Sequence, residues 1–486
     1  MSKNSSSLRA ACASIIAGLL LISGFHFAPV AAHAQRRGDA ARRRAAASPV
    51  AAATSGALRR DPDVARIVSE IDPRNIERTV RKLVSFGTRN TLSAQDNPAR
   101  GIGAARDWLK SEFEKIAQTA GGRFTVELQS FEQAKAARVP EPTRLSNVVA
   151  TLRGTQASSA ARMYVVSGHY DSMCSSPTDA VCDAPGANDD ASGVAAVVEM
   201  ARVMARREFD ATIVFMAVAG EEQGLLGATY YAEQARQNNL NIEAMFTNDI
   251  VGNSLGGNGV RDRNTVRVFS EGVPTNETAE EANVRRGTGG ENDSNARQLA
   301  RFIKAVGAAY MPAFDVQMIY RRDRYLRGGD HIPFLERGFA AVRFTEPNED
   351  YTHQHQNVRT ENGIRYGDLP EFVDYGYVAQ VARINAASLA TLARAPARPK
   401  GVGLLTRRLT NDTDLQWTAN TEDDLAGYEV VWRETTSPVW THALAVGNAT
   451  SYTVKGMSKD NYFFGVRAVD RQGNRSPASF PRPVRN

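Results

Sequence analysis

From about residue 123 to residue 394, short apolar segments alternate with amphipathic ones, and this alternation limits the possible folds more than any other feature. Strand-like segments such as NVVATLRG, MYVVSGH and TIVFMAVA are separated by helix-like ones such as DASGVAAVVEMARVMARR. Such alternation is typical of a sheet covered by helices on both faces. We therefore predict an α/β fold, with residues 253–294, which are rich in Gly, Asn and charge, as a long surface excursion.

The last 89 residues have a different pattern. Segments such as DLQWTA, GYEVVWRE and YFFGVRAVD alternate apolar and polar residues with period two, and no helix is indicated. Several short strands of this kind predict an all-β sandwich. Trp417, Tyr428 and the segment VRAVDRQGNRS resemble a fibronectin type III domain, which we expect at 402–486 after a linker at 395–401. Two roles stay open for it: a spacer, or a docking module for a polymeric substrate or a cell surface.

The N-terminus has the features of a signal peptide. Lys3 and Arg9 precede a 16-residue apolar stretch, and Ala32 and Ala34 are suitable for cleavage before Gln35. The stretch is short for a membrane span of about 20 residues. We expect residues 1–34 to be removed, export to the periplasm or the medium, and a disordered Ala- and Arg-rich arm at 35–60.

The positive charge of the chain lies almost wholly in this N-terminal region. The chain has 59 basic and 53 acidic residues, but residues 1–60 contain nine basic residues and one acidic residue. The remainder therefore has a net charge of −2, which excludes bulk positive charge as the basis of its activity. We expect no nucleic-acid partner, and no membrane span once the signal peptide is removed.

The cysteine content agrees with export. Cys12 lies in the signal peptide, so the mature chain keeps only Cys174 and Cys182. In an oxidising compartment an isolated close pair is expected to form a disulfide.

Candidate catalytic side chains occur where strands of the α/β region end, which is where open α/β sheets build their sites. Each has a plain alternative: Asp189 and Asp190, for example, could simply cap a helix. The candidates are His169 and Asp171 in SGHYDS, Asp189 and Asp190 in GANDDASG, Glu221 and Glu222 in GEEQGLLG, Asp249 in NDIVGN, and His353 and His355 in YTHQH.

Together with GGDHIPFLERG, these motifs, in this order, resemble the co-catalytic zinc aminopeptidases of the bacterial leucyl aminopeptidase and aminopeptidase Y type. The resemblance extends from about Asp61 to Arg394 and implies a mixed central sheet between helices, with peptides as substrates. It assigns His169 and Asp249 to one zinc ion, Glu222 and His353 to the other, Asp189 as the bridge, Glu221 as general base, and Asp171 and Asp330 as supporting acids. His353 is preferred to His355 as the last ligand, although Asn357 replaces the acid that usually follows it.

The chemistry of this set is consistent without the family. Two ions joined by a carboxylate can activate a water molecule and polarise a scissile carbonyl, and Glu221 would transfer the proton to the leaving amine. His, Asp and Glu ligands without a thiolate suit zinc. We therefore expect two Zn²⁺ ions as cofactors.

Other functions stay open beside a secreted aminopeptidase. A carboxypeptidase or dipeptidase on the same scaffold could bind a substrate carboxylate with Arg343 or with Arg321, Arg322 and Arg324, although these are more simply solvated surface charges. A glutaminyl cyclase is disfavoured because GEEQGLLG has the peptidase form. A non-catalytic peptide-binding protein would be expected to lack a ligand or the base, and all six positions are filled.

Overall fold

An eight-stranded mixed sheet forms the centre of the structure, a computed structural model that describes residues 54–55 and 57–485. The strands before the C-terminal domain are β1 (Thr54–Ser55), β2 (Phe124–Gln133), β3 (Thr143–Leu152), β4 (Arg162–His169), β5 (Thr212–Val218), β6 (Asn241–Asn248), β7 (Thr265–Phe269), β8 (Asp315–Ile319), β9 (Ala341–Thr345), β10 (Arg359–Glu361) and β11 (Ile364–Tyr366). The order in the sheet is β2-β3-β5-β4-β6-β9-β7-β8, with β5, β4, β6 and β9 parallel to one another. The predicted fold class is confirmed.

Most of the helices pack against this sheet and form two apolar clusters with it, a larger and a smaller one. The helices are α1 (Pro62–Glu70), α2 (Pro73–Val84), α3 (Ile102–Ala117), α4 (Ala191–Met204), α5 (Leu226–Gln237), α6 (Ala279–Thr288), α7 (Asn295–Tyr310), α8 (His331–Glu336) and α9 (Tyr375–Arg394), with a 3₁₀ turn at Pro370–Phe372. The first two begin alike: Asp61 and Asp72 each accept a backbone N–H as N-cap, and a proline fills the first helical position.

Two sequence expectations need correction here. Residues 253–294 contain strand β7, which lies inside the sheet between β9 and β8, and helix α6. The arm expected to be disordered at 35–60 contains strand β1, which pairs with residues 442 and 443. The signal peptide and the rest of the arm up to residue 53 lie outside the described residues. Within those residues, no helix is long and apolar enough to cross a membrane.

The C-terminal domain is a β-sandwich of two four-stranded sheets. Its strands are β12 (Lys400–Leu405), β13 (Thr413–Thr418), β14 (Leu425–Glu434), β15 (His442–Gly447), β16 (Ser451–Val454), β17 (Tyr462–Asp470) and β18 (Arg482–Val484). One sheet has the order β1-β15-β14-β17 and the other β16-β13-β12-β18. The expected core residues Trp417, Tyr428 and Phe464 are buried between them.

A buried ion-pair cluster joins the sandwich to the α/β domain, and we call it the junction cluster. Asp293 lies before α7 and accepts hydrogen bonds from Arg433 of β14 at 2.8 and 3.0 Å and from Arg301 of α7 at 2.9 Å. Their side chains are at most 2% exposed. The Trp440 indole also donates to Gln298, at 3.1 Å.

The sandwich lies at the amino-terminal ends of the parallel strands. Asn241 and Glu243 at the start of β6, and Ala340 just before β9, line the cleft between the two domains together with residues of the sandwich. Arg162, the first residue of β4, donates to the Ala395 carbonyl directly after the last helix. The opposite, carboxyl-terminal edge of these strands carries the predicted catalytic residues.

Candidate metal centre

Three adjacent parallel strands bring four predicted residues to one edge of the sheet. His169 is the last residue of β4, Glu221 and Glu222 follow β5, and Asp249 follows β6 directly. Parallel strands present their carboxyl ends at the same edge, which explains how residues 80 positions apart come together.

Asp189 joins two groups of possible metal ligands. Its Oδ1 lies 3.1 Å from His169 Nε2, and its Oδ2 lies 2.9 Å from His355 Nε2. His169 Nε2 is also 4.0 Å from Asp249 Oδ1, and His355 Nε2 is 3.1 Å from Glu222 Oε2. The possible ligand atoms within each group, one with His169, Glu221 and Asp249 and one with Glu222, His355 and Asp189, lie within 4.8 Å of one another. One carboxylate thus faces both groups, as a bridging ligand must.

The structure brings His355 to this site and leaves His353 out, in correction of the sequence expectation. The imidazole of His353 stacks on Phe372 with ring centroids 3.7 Å apart, and its Nδ1 is 3.6 Å from Asp350. The backbone of His355 takes a positive φ of 53°, and its ring reaches Asp189. Because a stacked ring holds His353 in another environment, we replace it by His355 in the candidate ligand set.

Asp190 and Asp189 divide the two roles that the sequence allowed for this pair. Asp190 caps helix α4 by accepting from the N–H of Gly193, and it also accepts from the N–H of His169, both at 3.0 Å. Asp189 is the one that faces the histidines.

Asp171 supports the site mainly through the backbone of the glutamates. Its carboxylate accepts the N–H groups of Glu221 and Glu222 at 3.2 and 3.1 Å, and the hydroxyl of Thr91 at 3.2 Å. His169 Nδ1 is 3.2 Å from the Asp171 backbone carbonyl and 3.6 Å from its carboxylate. The predicted orienting contact to His169 therefore runs through the carbonyl oxygen.

Asp330 is fully buried, and neither carboxylate oxygen has a hydrogen-bond partner among the described residues. Burial raises the pKa of Asp330 to about 7; nearby His169 opposes this shift, while Asp171 and Asp249 add to it. The acid lies in the electrostatic field of the site but contacts no candidate ligand.

Three supporting residues were not identified from the sequence. Arg343, weighed above as a surface charge or a substrate anchor, is fully buried and 2.7 Å from Asp249. Gln354 donates its amide to Asp189 Oδ2 at 3.0 Å, and Asp368 accepts the Asp189 backbone N–H at 2.7 Å. Arg343 left a signal, because it is the only charge within the apolar strand AVRFT. Gln354 and Asp368 lie on irregular loops, where no sequence pattern indicated their role.

The charges of the site fit a bound cation. Burial alone would lower the pKa of His355, but the carboxylates of Glu222 and Asp189 outweigh it and raise that pKa to about 11. Burial raises the pKa of Glu221 well above its usual range. His169 Nε2 is buried, has no hydrogen-bond partner among the described residues, and faces two carboxylates. Crowded carboxylates with an imidazole lone pair among them match zinc, which takes nitrogen and oxygen ligands.

The predicted disulfide is present and stiffens the loop between His169 and Asp189. Cys174 and Cys182 are bonded, with Cα atoms 6.5 Å apart. Inside the loop, the carbonyl of Pro177 accepts from the amide of Gln223, next to Glu222, at 2.9 Å.

Asn357 connects this disulfide loop to the loop that carries His355. Its Oδ1 accepts from the backbone N–H of Ser175 at 3.2 Å and from the Ser175 hydroxyl at 2.9 Å. The residue that replaces the expected acid thus links two loops of the site.

Comparison with known proteins agrees with this geometry. The family model described as peptidase family M28 matches residues 147–373, and the model for the fibronectin type III domain matches residues 397–485. A probable zinc metalloprotease from Leptosphaeria maculans is 50% identical over 430 residues, which cover 88% of this chain and 99% of that protein. Another from Pyricularia oryzae is 50% identical over 442 residues, 90% of this chain and 87% of that protein.

Among solved structures, LapA from Legionella pneumophila has a similar fold. It matches with a TM-score of 0.50 and 20% identity, over 68% of this chain and 77% of that chain.

Proposed function

The chain belongs to the zinc metalloproteases of peptidase family M28, and on that premise we propose that it is an exported aminopeptidase that uses two zinc ions. The observation that carries the proposal is the position of Asp189, whose two carboxylate oxygens face His169 and His355 separately. His169 and Asp249 would hold one ion, and Glu222 and His355 the other, with Asp189 shared between them.

In the proposed reaction, Glu221 is the group that moves the proton. When bound, the zinc ions would supply the Lewis-acid chemistry that polarises the scissile carbonyl and makes water a better nucleophile. The Glu221 carboxylate would accept the proton of the attacking water and deliver it to the leaving amine. Burial raises the pKa of Glu221, which favours a carboxyl group that can both take and return a proton. Asp171 holds the backbone of Glu221 and so orients this base.

Two of the four arginines considered for a carboxypeptidase, Arg343 and Arg324, are already engaged within the protein. A carboxypeptidase needs a cation free to face a substrate carboxylate, but Arg343 is fully buried against Asp249 and the Gly328 carbonyl. Arg324 is 8% exposed and pairs with Asp323 and Glu349. Their engagement favours a free amino end as the group that the site recognises.

Matched dipeptides distinguish these activities. With the zinc-loaded full chain, we expect cleavage of dipeptides that have a free amino group and an amidated carboxyl end. N-acetylated dipeptides with a free carboxylate should resist. The reverse pattern would indicate a carboxypeptidase, and zinc binding without hydrolysis of either series would indicate a non-catalytic peptide-binding protein.

The number of ions is tested separately by native mass spectrometry during chelation and zinc add-back. We expect two zinc ions per chain and full activity only with both. Full activity with one ion would contradict the shared role of Asp189.

Export is proposed from the N-terminal sequence and is supported by the disulfide, because such bonds persist in oxidising compartments. N-terminal sequencing of protein expressed with its own leader should begin at Gln35. Recovery of a chain that still begins at Met1 would contradict this cleavage.

A further inference from the structure

Two loops beside the candidate metal centre carry apolar side chains that are exposed to solvent. One loop covers residues 320–330, between β8 and α8, and the other covers residues 346–358, between β9 and β10. Three of the four most exposed large apolar side chains among the described residues of the α/β domain lie on these loops. They are Leu326 (92% exposed), Tyr325 (75%) and Tyr351 (65%), and we call them the apolar rim. Exposed apolar side chains that cluster in this way indicate an interaction surface.

Ion pairs to a buried glutamate join the two loops at the base of the rim. Glu349, whose side chain is 4% exposed, lies 3.3 Å from Arg324 and 2.6 Å from Arg327. These two arginines flank the rim residues of the first loop, and Glu349 lies two residues before Tyr351 on the second. Arg324 also donates to the Gly328 carbonyl at 3.0 Å, which closes the first loop on itself. The loops are therefore held together at their base, while the rim side chains stay in solvent.

Leu326 has a backbone conformation that does not favour leucine. Its φ is 56°, which is uncommon for a residue with a Cβ atom, and its exposed side chain gains little from packing within the chain. Unfavourable conformations of this kind occur most often at ligand-binding and catalytic sites. The neighbouring ring of Tyr325 is positioned by Arg321, whose guanidinium lies 5.5 Å from the ring centroid.

Both loops place the apolar rim close to the candidate metal centre. A Cβ atom on Gly329 would lie 3.4 Å from Oδ2 of Asp249, so the backbone of the first loop packs against this candidate ligand. Leu326 is three residues earlier and therefore within about 11 Å of Gly329, even if that segment were fully extended. The second loop carries His355, four residues after Tyr351.

We propose that the apolar rim binds apolar side chains at the second and third residues of the peptide substrate, which follow the scissile bond. An aminopeptidase can enclose the first residue, because the chain ends there, whereas the following residues extend towards solvent. Two or three extended residues span about 7–11 Å, which is comparable to the distance from the candidate ligands to the rim. This inference rests on the proposed aminopeptidase function and concerns the part of the substrate that is released.

The test compares three amidated tripeptides that share their first residue: Leu-Gly-Gly-NH₂, Leu-Phe-Gly-NH₂ and Leu-Gly-Phe-NH₂. With the zinc-loaded full chain, kcat/KM for at least one phenylalanine peptide should exceed that for the glycine peptide by about fivefold, because an open surface covers part of a phenylalanine side chain. Equal or lower values for both phenylalanine peptides would overturn the inference but keep the aminopeptidase. No hydrolysis of any tripeptide would contradict the proposed function itself.

Variants assign this preference to the apolar rim. Leu326→Asn removes the apolar side chain and introduces a residue that tolerates a positive φ. This variant and, separately, Tyr351→Ser should lower the ratio of kcat/KM for the preferred phenylalanine peptide to that for the glycine peptide. Both positions are exposed, so folding is not at risk. Leu409→Asn, at a 96% exposed position of the sandwich, is the matched control and should leave the ratio unchanged. A ratio that stays constant in both rim variants would overturn the proposal.

A second copy of the chain is the other occupant that an exposed apolar surface could have. Analytical ultracentrifugation of the wild type and of Leu326→Asn at equal concentration distinguishes it from a peptide. We expect both proteins to have the same mass in solution. A wild-type dimer that dissociates in the variant would overturn the proposal, because the rim would then be covered by the second copy.

Discussion

The candidate metal centre and the junction cluster both bury charge, but only in the junction cluster is each charged group paired with one of opposite sign. We call the junction cluster the balanced site in this sense of pairing, and the candidate metal centre the unbalanced site. At the junction, Asp293 is held between Arg301 and Arg433, and all three are almost wholly buried. At the candidate metal centre, the carboxylates crowd around two imidazoles, and within the part of the chain that the structure describes His169 Nε2 has no hydrogen-bond partner. Buried charge that is paired within the protein holds structure, whereas buried charge in excess of its partners indicates a ligand still to be bound.

The largest expected effect separates proton transfer from metal binding at the unbalanced site. Glu221→Gln keeps the shape of the side chain but removes the base, so kcat should fall about 10²- to 10⁴-fold. Zinc content, measured by native mass spectrometry, should stay at the wild-type value. Glu132→Gln, at an exposed position on β2, is the control for loss of one negative charge. Undiminished hydrolysis by the Glu221 variant would refute the assigned mechanism.

A second pair of variants tests which histidine belongs to the unbalanced site. His355→Ala should bind one zinc ion fewer than the wild type and lose most of its activity, because Nε2 of His355 faces both Asp189 and Glu222. His353→Ala is the matched control and should keep both ions, since its ring stacks on Phe372. The opposite result would restore His353 as the ligand.

At the balanced site, removal of a charge should affect folding and spare catalysis. Asp293→Asn leaves Arg301 and Arg433 buried without a counter-charge, which should lower the free energy of unfolding by about 3–5 kcal/mol. Denaturant unfolding measures this loss, while kcat/KM under folding conditions should not change.

The exposed ion pair between Arg482 and Glu281 near the same junction serves as the control. Arg482→Ala should cost less than about 1 kcal/mol, since exposed pairs contribute little. Equal losses of stability in Asp293→Asn and Arg482→Ala would contradict the distinction between balanced buried charge and solvated charge.

The smallest effect concerns the disulfide loop, which supports the unbalanced site through a covalent bond and not through a charged side chain. Replacement of both Cys174 and Cys182 by Ser should lower the free energy of unfolding by about 2.5 kcal/mol on the chain-entropy estimate. Zinc should also dissociate more readily in competition with a chelator, because the loop joins His169 to Asp189. A reducing agent should lower the free energy of unfolding of the wild type by the same amount. It should not change the free energy of unfolding of the double variant. If reduction alters neither stability nor activity, the loop has no supporting role.

Sequence patterns predicted the parts of the fold that are locally encoded. Long apolar strands and amphipathic helices were evident, but β7 was missed because TVRVF has five residues with an arginine at its centre. Strand β1 was missed because two residues carry no periodicity, and its pairing with β15 joins segments almost 390 residues apart.

The candidate site shows the same limit. His169, Asp189, Glu221 and Asp249 lie in motifs at strand or helix ends, and the order of these motifs, through its resemblance to a known family, predicted them as one set. The choice between the two histidines of YTHQH depends on a stacking contact of His353 with Phe372, which lies beyond the β10–β11 hairpin, and no local pattern encodes that contact.

Because the fibronectin type III domain is attached at the amino-terminal ends of the strands, a minimum distance separates it from the candidate site at their carboxyl-terminal ends. Strand β6 has eight residues, so at about 3.3 Å per residue roughly 26 Å separate Asn241, beside the sandwich, from Asp249 at the catalytic edge. A polymer bound by the sandwich would need about seven or eight extended residues for its end to reach the candidate zinc ligands. Substrate length would then affect the rate. A polymer with a longer free end could reach the candidate site while bound to the sandwich, whereas a shorter one would have to reach that site by free diffusion.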